Sequence, residues 1–269
     1  MLYSVLLMVE HTVVITGGGS GIGRAITLEC ARRGWTVAVL DIDAEAAGTV
    51  AACALEQGAR SATAHHCDVS DEPSVRTVFA AISALAPIRG VVANAGIEHN
   101  APVHELQLGD WQRTIDVNLT GVFLTCKHAL RGMLEHGTAA SIVCTSSPAA
   151  FVGFAGGSNA AYAASKGGVT AFVRSAAIDY AAAGIRINAI VPGATDTPLL
   201  RDSPSAGASP GLDARLETLA AEQIPLGRLA QPEEIARAAV WLLSDDAAYV
   251  TGTSLVCDGG LLARGANTF

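Results

Sequence analysis

Seven short apolar runs punctuate the chain, at 12–16, 36–40, 62–66, 90–93, 141–145, 186–191 and 254–256. Most are apolar throughout instead of alternating, which is the pattern of strands buried on both faces of a parallel sheet. Between them lie longer stretches with helical periodicity, over 44–57, 72–85, 112–134, 160–182 and 232–243. The last opens with Gln231-Pro232-Glu233-Glu234, where proline suits a first helical turn and the acids suit its positive dipole end. Strand and helix in strict succession predict an α/β fold: a doubly wound, Rossmann-type parallel sheet flanked by helices on both faces. One domain over 1–269 accommodates it. The one composition shift, at 201–212, is rich in Ser, Pro, Gly and Ala and marks a substrate lid around 199–225.

Composition sharpens this. Half the residues are hydrophobic and only 16% are charged, against about a quarter in a typical soluble domain. The mean hydropathy of +0.38 raises a membrane alternative, but no apolar run approaches the roughly 18 residues a spanning helix needs. Residues 1–9 are too few, and they lack the basic flank and cleavage site of a secretory signal; Met8 offers an alternative start. The formal charge of −8, without clustered Lys or Arg, argues against nucleic acid as a partner. Six cysteines without a C-x-x-C pair sit mostly in apolar segments, which fits a reducing cytoplasm. Apolar helix faces beyond the needs of one sheet predict a homodimer or homotetramer.

Directly after the first strand comes Thr16-Gly17-Gly18-Gly19-Ser20-Gly21-Ile22-Gly23, opening a helix. Glycines let the backbone approach a pyrophosphate closely, and the helix N-terminus presents free N–H groups to it. The second strand runs to Asp41, 18 residues past Gly23, close to the spacing of a carboxylate that binds an adenine ribose. Beside a 2′-phosphate, Asp41 would meet like charge at a cost on the order of several kcal/mol at an effective dielectric near 20. Ser20 supplies no positive charge in the glycine loop to offset it. The cofactor expected is therefore NAD.

Further motifs extend the pattern along nearly the whole chain: Asp68 and Val69 after the third strand, Asn94-Ala95-Gly96 after the fourth, Asn118 in Asp116-Val117-Asn118-Leu119, Tyr162-Ala163-Ala164-Ser165-Lys166, and Pro192-Gly193 with Thr195 and Thr197. In this order the sequence resembles the classical short-chain dehydrogenase/reductase family. The resemblance implies cofactor contacts at Gly17, Ser20, Gly21, Ile22, Gly23, Asp41, Asp68, Val69, Asn94, Tyr162, Lys166, Thr195 and Thr197, and a catalytic set of Asn118, Ser147, Tyr162 and Lys166. It implies hydride exchange between a nicotinamide and a secondary alcohol or ketone, with Tyr162 as general acid/base, Lys166 lowering its pKa and binding ribose, and Asn118 holding a water of the proton relay. Tetramers are usual among such proteins.

The Tyr162–Lys166 pair also carries a reading of its own. At i and i+4 the two share a helix face. A phenol titrates near 10, so a base working near neutrality needs about 4 kcal/mol of help from nearby positive charge; a buried tyrosine beside an outward-reaching lysine is the plainer alternative. The serine is chosen between Ser146 and Ser147, both at the end of the fifth strand. Ser147 fits the resemblance, although its spacing to Tyr162 is two residues longer than usual and Pro148 follows it. Sliding the match forward would put Ala149, without a hydroxyl, in its place. The enlarged loop over 149–161 should reshape the substrate side of the pocket.

Other residues carry less. His65-His66 and Glu98-His99 lack a third partner at metal-ligand spacing, so no metal is expected. Glu98 and His99 could edge the pocket but read rather as solvated loop residues, and Arg201 and Arg215 could meet an anionic substrate but read rather as exposed charges near the lid. The apolar Ala149, Phe151, Phe154, Leu199 and Leu200 favour a neutral, hydrophobic alcohol as the small-molecule substrate. A 3-oxoacyl-carrier-protein reductase shares the chemistry but calls for NADPH and a basic docking face. A catalytically silent nucleotide-sensing protein is the reading from another class, and the intact Asn118, Ser147, Tyr162 and Lys166 set speaks against it. Catalytic efficiency should favour NAD over NADP by about tenfold or more, given the charge at Asp41; equal or reversed efficiencies in a steady-state comparison would overturn the cofactor assignment.

Overall fold

The apolar runs do become strands, and all of them join one sheet. A computed structural model describes residues 12–137, 139–154, 157–201 and 212–264. Its strands are β1 (Thr12–Thr16), β2 (Thr36–Asp41), β3 (Ser61–His66), β4 (Ile88–Ala93), β5 (Ala140–Thr145), β6 (Ile185–Pro192) and β7 (Ser254–Cys257). They are all parallel and lie in the order β3-β2-β1-β4-β5-β6-β7. Residues 1–11 and 265–269, and residues 202–211 of the expected lid, lie outside the described residues.

Helices cover both faces. On one side α3 (Glu72–Leu85), α5 (Gly121–His136) and α6 (Ala160–Tyr180) pack on Val14, Leu40, Val91, Ile142 and Ile187. On the other, α1 (Gly21–Arg32) and α9 (Pro232–Leu243) pack on Val13, Ile15, Val92, Val143 and Ile190. Successive strand residues thus serve opposite cores, which is why the runs had to be apolar at every position. α2 (Ala44–Glu56) covers β2 near the sheet edge; α4 (Leu108–Ile115), α7 (Pro198–Arg201) and α8 (Leu212–Gln223) complete the helices among the described residues.

One helical expectation needs correction. The stretch 112–134 is not a single α-helix: α4 begins earlier, and a π-helical turn at Asp116–Thr120 separates it from α5. The cause is Asn118, whose fully buried side chain turns inward and mates with the backbone of Ile97. A widened turn lets a polar residue leave the helical repeat without ending the helix.

A half-buried cation ties β6 to α9. Arg186 on β6 donates from Nη1 to the Leu242 carbonyl at 2.8 Å and from Nη2 to the Ser244 carbonyl at 2.9 Å. Those carbonyls close the C-terminal end of α9, where positive charge also meets the negative pole of the helix. Arg186→Met should leave the Ser244 carbonyl without this donor, while the Ser141 hydroxyl still donates to the Leu242 carbonyl at 2.9 Å, and should lower the unfolding free energy by about 1–3 kcal/mol in urea denaturation; a loss under about 0.5 kcal/mol, typical of a plain surface change, would refute this role.

Candidate active site

Between β1 and β4 the strand order reverses, and in open α/β sheets the crevice at the carboxyl ends of such strands is where ligands bind. The glycine loop leaves β1 here. Gly17 takes φ +62, and a Cβ on it would fall 2.8 Å from the Ala95 Cα. At Gly23 a Cβ would fall 2.0 Å from the Gly17 carbonyl oxygen. These positions admit no side chain, so the start of α1 lies bare beside the end of β4, as a pyrophosphate cradle requires. The residues present therefore fit a dinucleotide.

Asn94 fastens the cradle. Its Nδ2 donates to the carbonyls of Thr16 and Gly17, both at 3.3 Å, its Oδ1 accepts from the Thr145 hydroxyl at 3.2 Å, and its backbone N–H donates to Thr16 Oγ1 at 3.0 Å. Asp41 closes the loop from β2: Oδ2 accepts from the Gly19 N–H at 2.9 Å and Oδ1 from the Asp43 N–H at 3.0 Å. The shallow depression beyond Gly19 is lined by Arg24 together with Asp43 and Glu45, so the single base there is outnumbered by acids.

A cavity of about 570 Å³ runs from Asp41 and Asp68 at one end to Phe154 and Leu216 at the other. On its wall lie Gly17, Ser20, Gly21, Ile22, Asp41, Asp68, Val69 and Asn94, and also Ser147, Tyr162, Lys166, Thr195 and Thr197. Gly23 and Asn118 sit behind the wall, both buried. Asp68 Oδ1 accepts from the Ser70 hydroxyl at 2.6 Å, which holds its carboxyl below the ordinary range. Thr195 and Thr197 are buried, their hydroxyls donating to the Gly193 and Thr195 carbonyls.

The serine ambiguity resolves in space. Ser146 faces the core: its Oγ donates to the Lys166 carbonyl at 3.1 Å and lies 2.8 Å from Thr170 Oγ1. Ser147 points the other way. It caps the short turn Pro148–Ala150, accepting from the Ala149 N–H at 3.2 Å, and hydrogen-bonds the Tyr162 phenol. Proline directly after the serine thus starts the turn that aims Ser147 at the tyrosine.

Lys166 is buried, its Nζ donating to the Thr145 carbonyl at 2.8 Å and standing 5.5 Å from the centre of the Tyr162 ring. Burial pulls its pKa down to about 8. The phenol does not behave as the sequence suggested: burial, then the charge of Glu98, push Tyr162 up to about 12, against the pull of the Ser147 hydrogen bond. The chain's own groups leave that phenol protonated, so a neutral-pH base depends on further positive charge in the cleft. Asn118 uses its whole side chain in place: Oδ1 accepts from the Ile97 N–H at 2.8 Å, and Nδ2 donates to the Ile97 carbonyl and to Ser165.

Three wall residues stand out among those that the sequence reading did not place in the site. Arg113 stands near Asp68, Leu261 reaches the cavity from beyond β7, and Glu98 is half-buried on the wall instead of solvated. Only Glu98 left a trace in the sequence, as an acid two residues past Gly96. Phe151, expected in the pocket, is 48% exposed and off its wall; Ala149, Phe154, Leu199 and Leu200 do line it. From the lid side Leu216, Leu219 and Ile224 face in. Among the described residues no three His, Cys, Asp or Glu side chains gather as metal ligands, and no helix is long and apolar enough to cross a membrane.

The family model described as enoyl-(acyl carrier protein) reductase matches residues 17–262. A cis-4-hydroxycyclohexanecarboxylate dehydrogenase of Sinomonas cyclohexanicum is 45% identical over 256 residues, covering 94% of this chain and 97% of the relative. The chain belongs to the short-chain dehydrogenase/reductase family. A 2,5-dichloro-2,5-cyclohexadiene-1,4-diol dehydrogenase of Sphingobium indicum is 40% identical, again over 94% of this chain and 97% of the relative. Among solved structures, a short-chain type dehydrogenase/reductase from Mycobacterium marinum superposes with a TM-score of 0.88 at 31% identity, covering 96% of this chain and 97% of that one. Membership makes the chain an oxidoreductase with the Rossmann-type sheet described above.

Proposed function

We propose that this short-chain dehydrogenase/reductase is an NAD-dependent dehydrogenase of alicyclic secondary alcohols, interconverting them with ketones. The observation that carries the proposal is the convergence of Ser147, Tyr162 and Lys166 on one wall of the cleft, next to the glycine cradle. Bound nicotinamide dinucleotide supplies the hydride acceptor for alcohol oxidation. Ser147 orients the substrate oxygen and Tyr162 takes its proton. Lys166 holds the ribose and contributes positive charge beneath the phenol. With the Asn118 side chain already spent on Ile97 and Ser165, its part in a proton relay falls to its main chain in the π-turn.

NAD is favoured over NADP by the carboxylate of Asp41 and the acids around Arg24. The ring-alcohol class is favoured by the apolar wall of Ala149, Phe154, Leu199 and Leu216, and by the two relatives named for six-membered ring alcohols. A homo-oligomer, a tetramer or dimer, is proposed on exposed apolar side chains of α5 and α6: Phe123, Leu134 and Ile178, the last 75% exposed. One domain, a lid around 199–225 and a cytoplasmic location complete the proposal; no nucleic acid, membrane or metal enters it.

Tyr162→Phe should lower kcat for alcohol oxidation by about 10²–10⁴-fold while NAD binding, followed by protein fluorescence, persists; retained turnover would refute Tyr162 as the base. Ser147→Ala removes a hydrogen bond that lowers the phenol pKa. The rising limb of kcat/KM against pH for oxidation, which needs the ionised phenol, should therefore move to higher pH. A limb that stays in place or moves down contradicts the assigned serine.

A further inference from the structure

Glu98 has no part in that chemistry, yet it occupies the reactive half of the cleft. It shares the cavity wall with Ser147 and Tyr162, and the side chains of Asn100 and Asn159 hydrogen-bond its carboxyl. Asn159 arrives from the enlarged serine–tyrosine loop. That loop is docked on the segment after β4 by the Ala101 N–H, which donates to the Ser158 carbonyl at 2.8 Å. Ser158 adopts φ +46, the left-handed region that a non-glycine residue enters at a cost of roughly 1–2 kcal/mol. The longer loop thus bends under strain just where its next residue meets Glu98.

Holding the loop does not explain the acid. An amide at position 98 could also bond Asn100 and Asn159 without a buried charge, and burial does push this carboxyl up. Around it the wall is apolar, with Phe154, Leu199 and Leu216. Of the cations on the cavity wall, Lys166 donates to the Thr145 carbonyl and Arg113 stands towards Asp68. Residues 202–211 carry neither Lys nor Arg in sequence. The reactive half therefore offers a substrate Glu98 as a strong acceptor, while Lys166, the cation on the same wall, is held by the Thr145 carbonyl and its charge already acts on Glu98. A carboxylate has about four acceptor sites, more than two amides fill.

We propose that Glu98 is a specificity-determining residue whose carboxylate accepts a hydrogen bond from a second substrate hydroxyl, remote from the reacting carbon. The site then selects alicyclic diols over simple cyclic alcohols and over hydroxy acids, whose carboxylate would meet Glu98 as like charge in a low dielectric. This rests on the dehydrogenase reading above.

The test uses the full chain with saturating NAD and three substrates: cis-1,4-cyclohexanediol, cyclohexanol and cis-4-hydroxycyclohexanecarboxylate. Wild type should show the highest kcat/KM for the diol. Glu98→Leu should lower the diol-to-cyclohexanol ratio about tenfold, the scale of one hydrogen bond to a charged group. Glu98→Gln, nearly isosteric and without charge, should raise the hydroxy-acid-to-cyclohexanol ratio, so the proposal stands or falls on it even where the leucine variant folds poorly. Ratios within twofold of wild type in Glu98→Gln and in a folded Glu98→Leu overturn the role of Glu98. A wild type that oxidises none of the three overturns the ring-alcohol reading itself, and this proposal with it.

Discussion

The turn leaving β1 lies against the end of β4, and much else is arranged around that contact. Gly17 lies so near Ala95 that no Cβ fits, and Asn94 stitches the carbonyls of Thr16 and Gly17 to the Thr145 hydroxyl of β5. Three neighbouring strand ends are thereby fixed by one amide whose donors and acceptor all find partners. The order of the strands makes this the point where crossovers change direction, so no helix covers the crevice. The amide therefore holds open, at fixed width, the place where a phosphate chain and a reacting ring can lie side by side. The floor that carries Ser147 and Lys166 is attached to the same strand end, since Lys166 donates to the Thr145 carbonyl.

Burial then sets the electrostatics of that floor. The same desolvation that pulls Lys166 down to about 8 pushes Tyr162 up to about 12 and raises Glu98. Each shift disfavours the charged form, as expected where water is largely replaced by apolar wall. The protein alone thus makes a poor base of its tyrosine. The geometry has a compensating consequence: a cationic ring bound beside the phenol acts in the same low dielectric and is little screened there. In the proposed reaction, proton abstraction and cofactor binding would be coupled, the phenol ionising chiefly with the cofactor in place.

How much of this could be read from residues follows from what each feature depends on. The central strands β1, β2, β4, β5 and β6 were legible because strands buried on both faces must be apolar at nearly each position, whereas the exposed edge strands β3 and β7 were read from their short β-compatible runs; the structure extends the seven by at most two residues at an end. Gly17, Gly23 and Asp41 were legible because backbone closeness and a carboxylate at the end of β2 leave a spacing in the chain. The π-turn at Asn118 was half legible: asparagine in a helical stretch signalled a violation, but its partner Ile97 lies 21 residues away and no local pattern names it. Ser147 over Ser146 depends on which face of β5's end each hydroxyl takes, a matter of strand exit and the Pro148 turn. Glu98 was read as solvated because its half-buried place on the cavity wall, hydrogen-bonded by Asn100 and Asn159, depends on a loop whose path the sequence leaves open.

The two halves of the cleft are accordingly built by different means. Around Gly17, Asn94 and Asp41 the fit is made by backbone that has no freedom to vary, so a substitution there disturbs the sheet as well as the site. Around Glu98, Phe154 and Leu199 the wall is made by side chains on connections between elements, held by single contacts such as that between Ala101 and Ser158. Changing those residues leaves the sheet ladder and the cradle intact. Substrate choice can therefore drift while the redox chemistry stays fixed, and in this chain the residues that depart from expectation, the lengthened loop, the strained Ser158 and the buried Glu98, all fall in the half that is free to change.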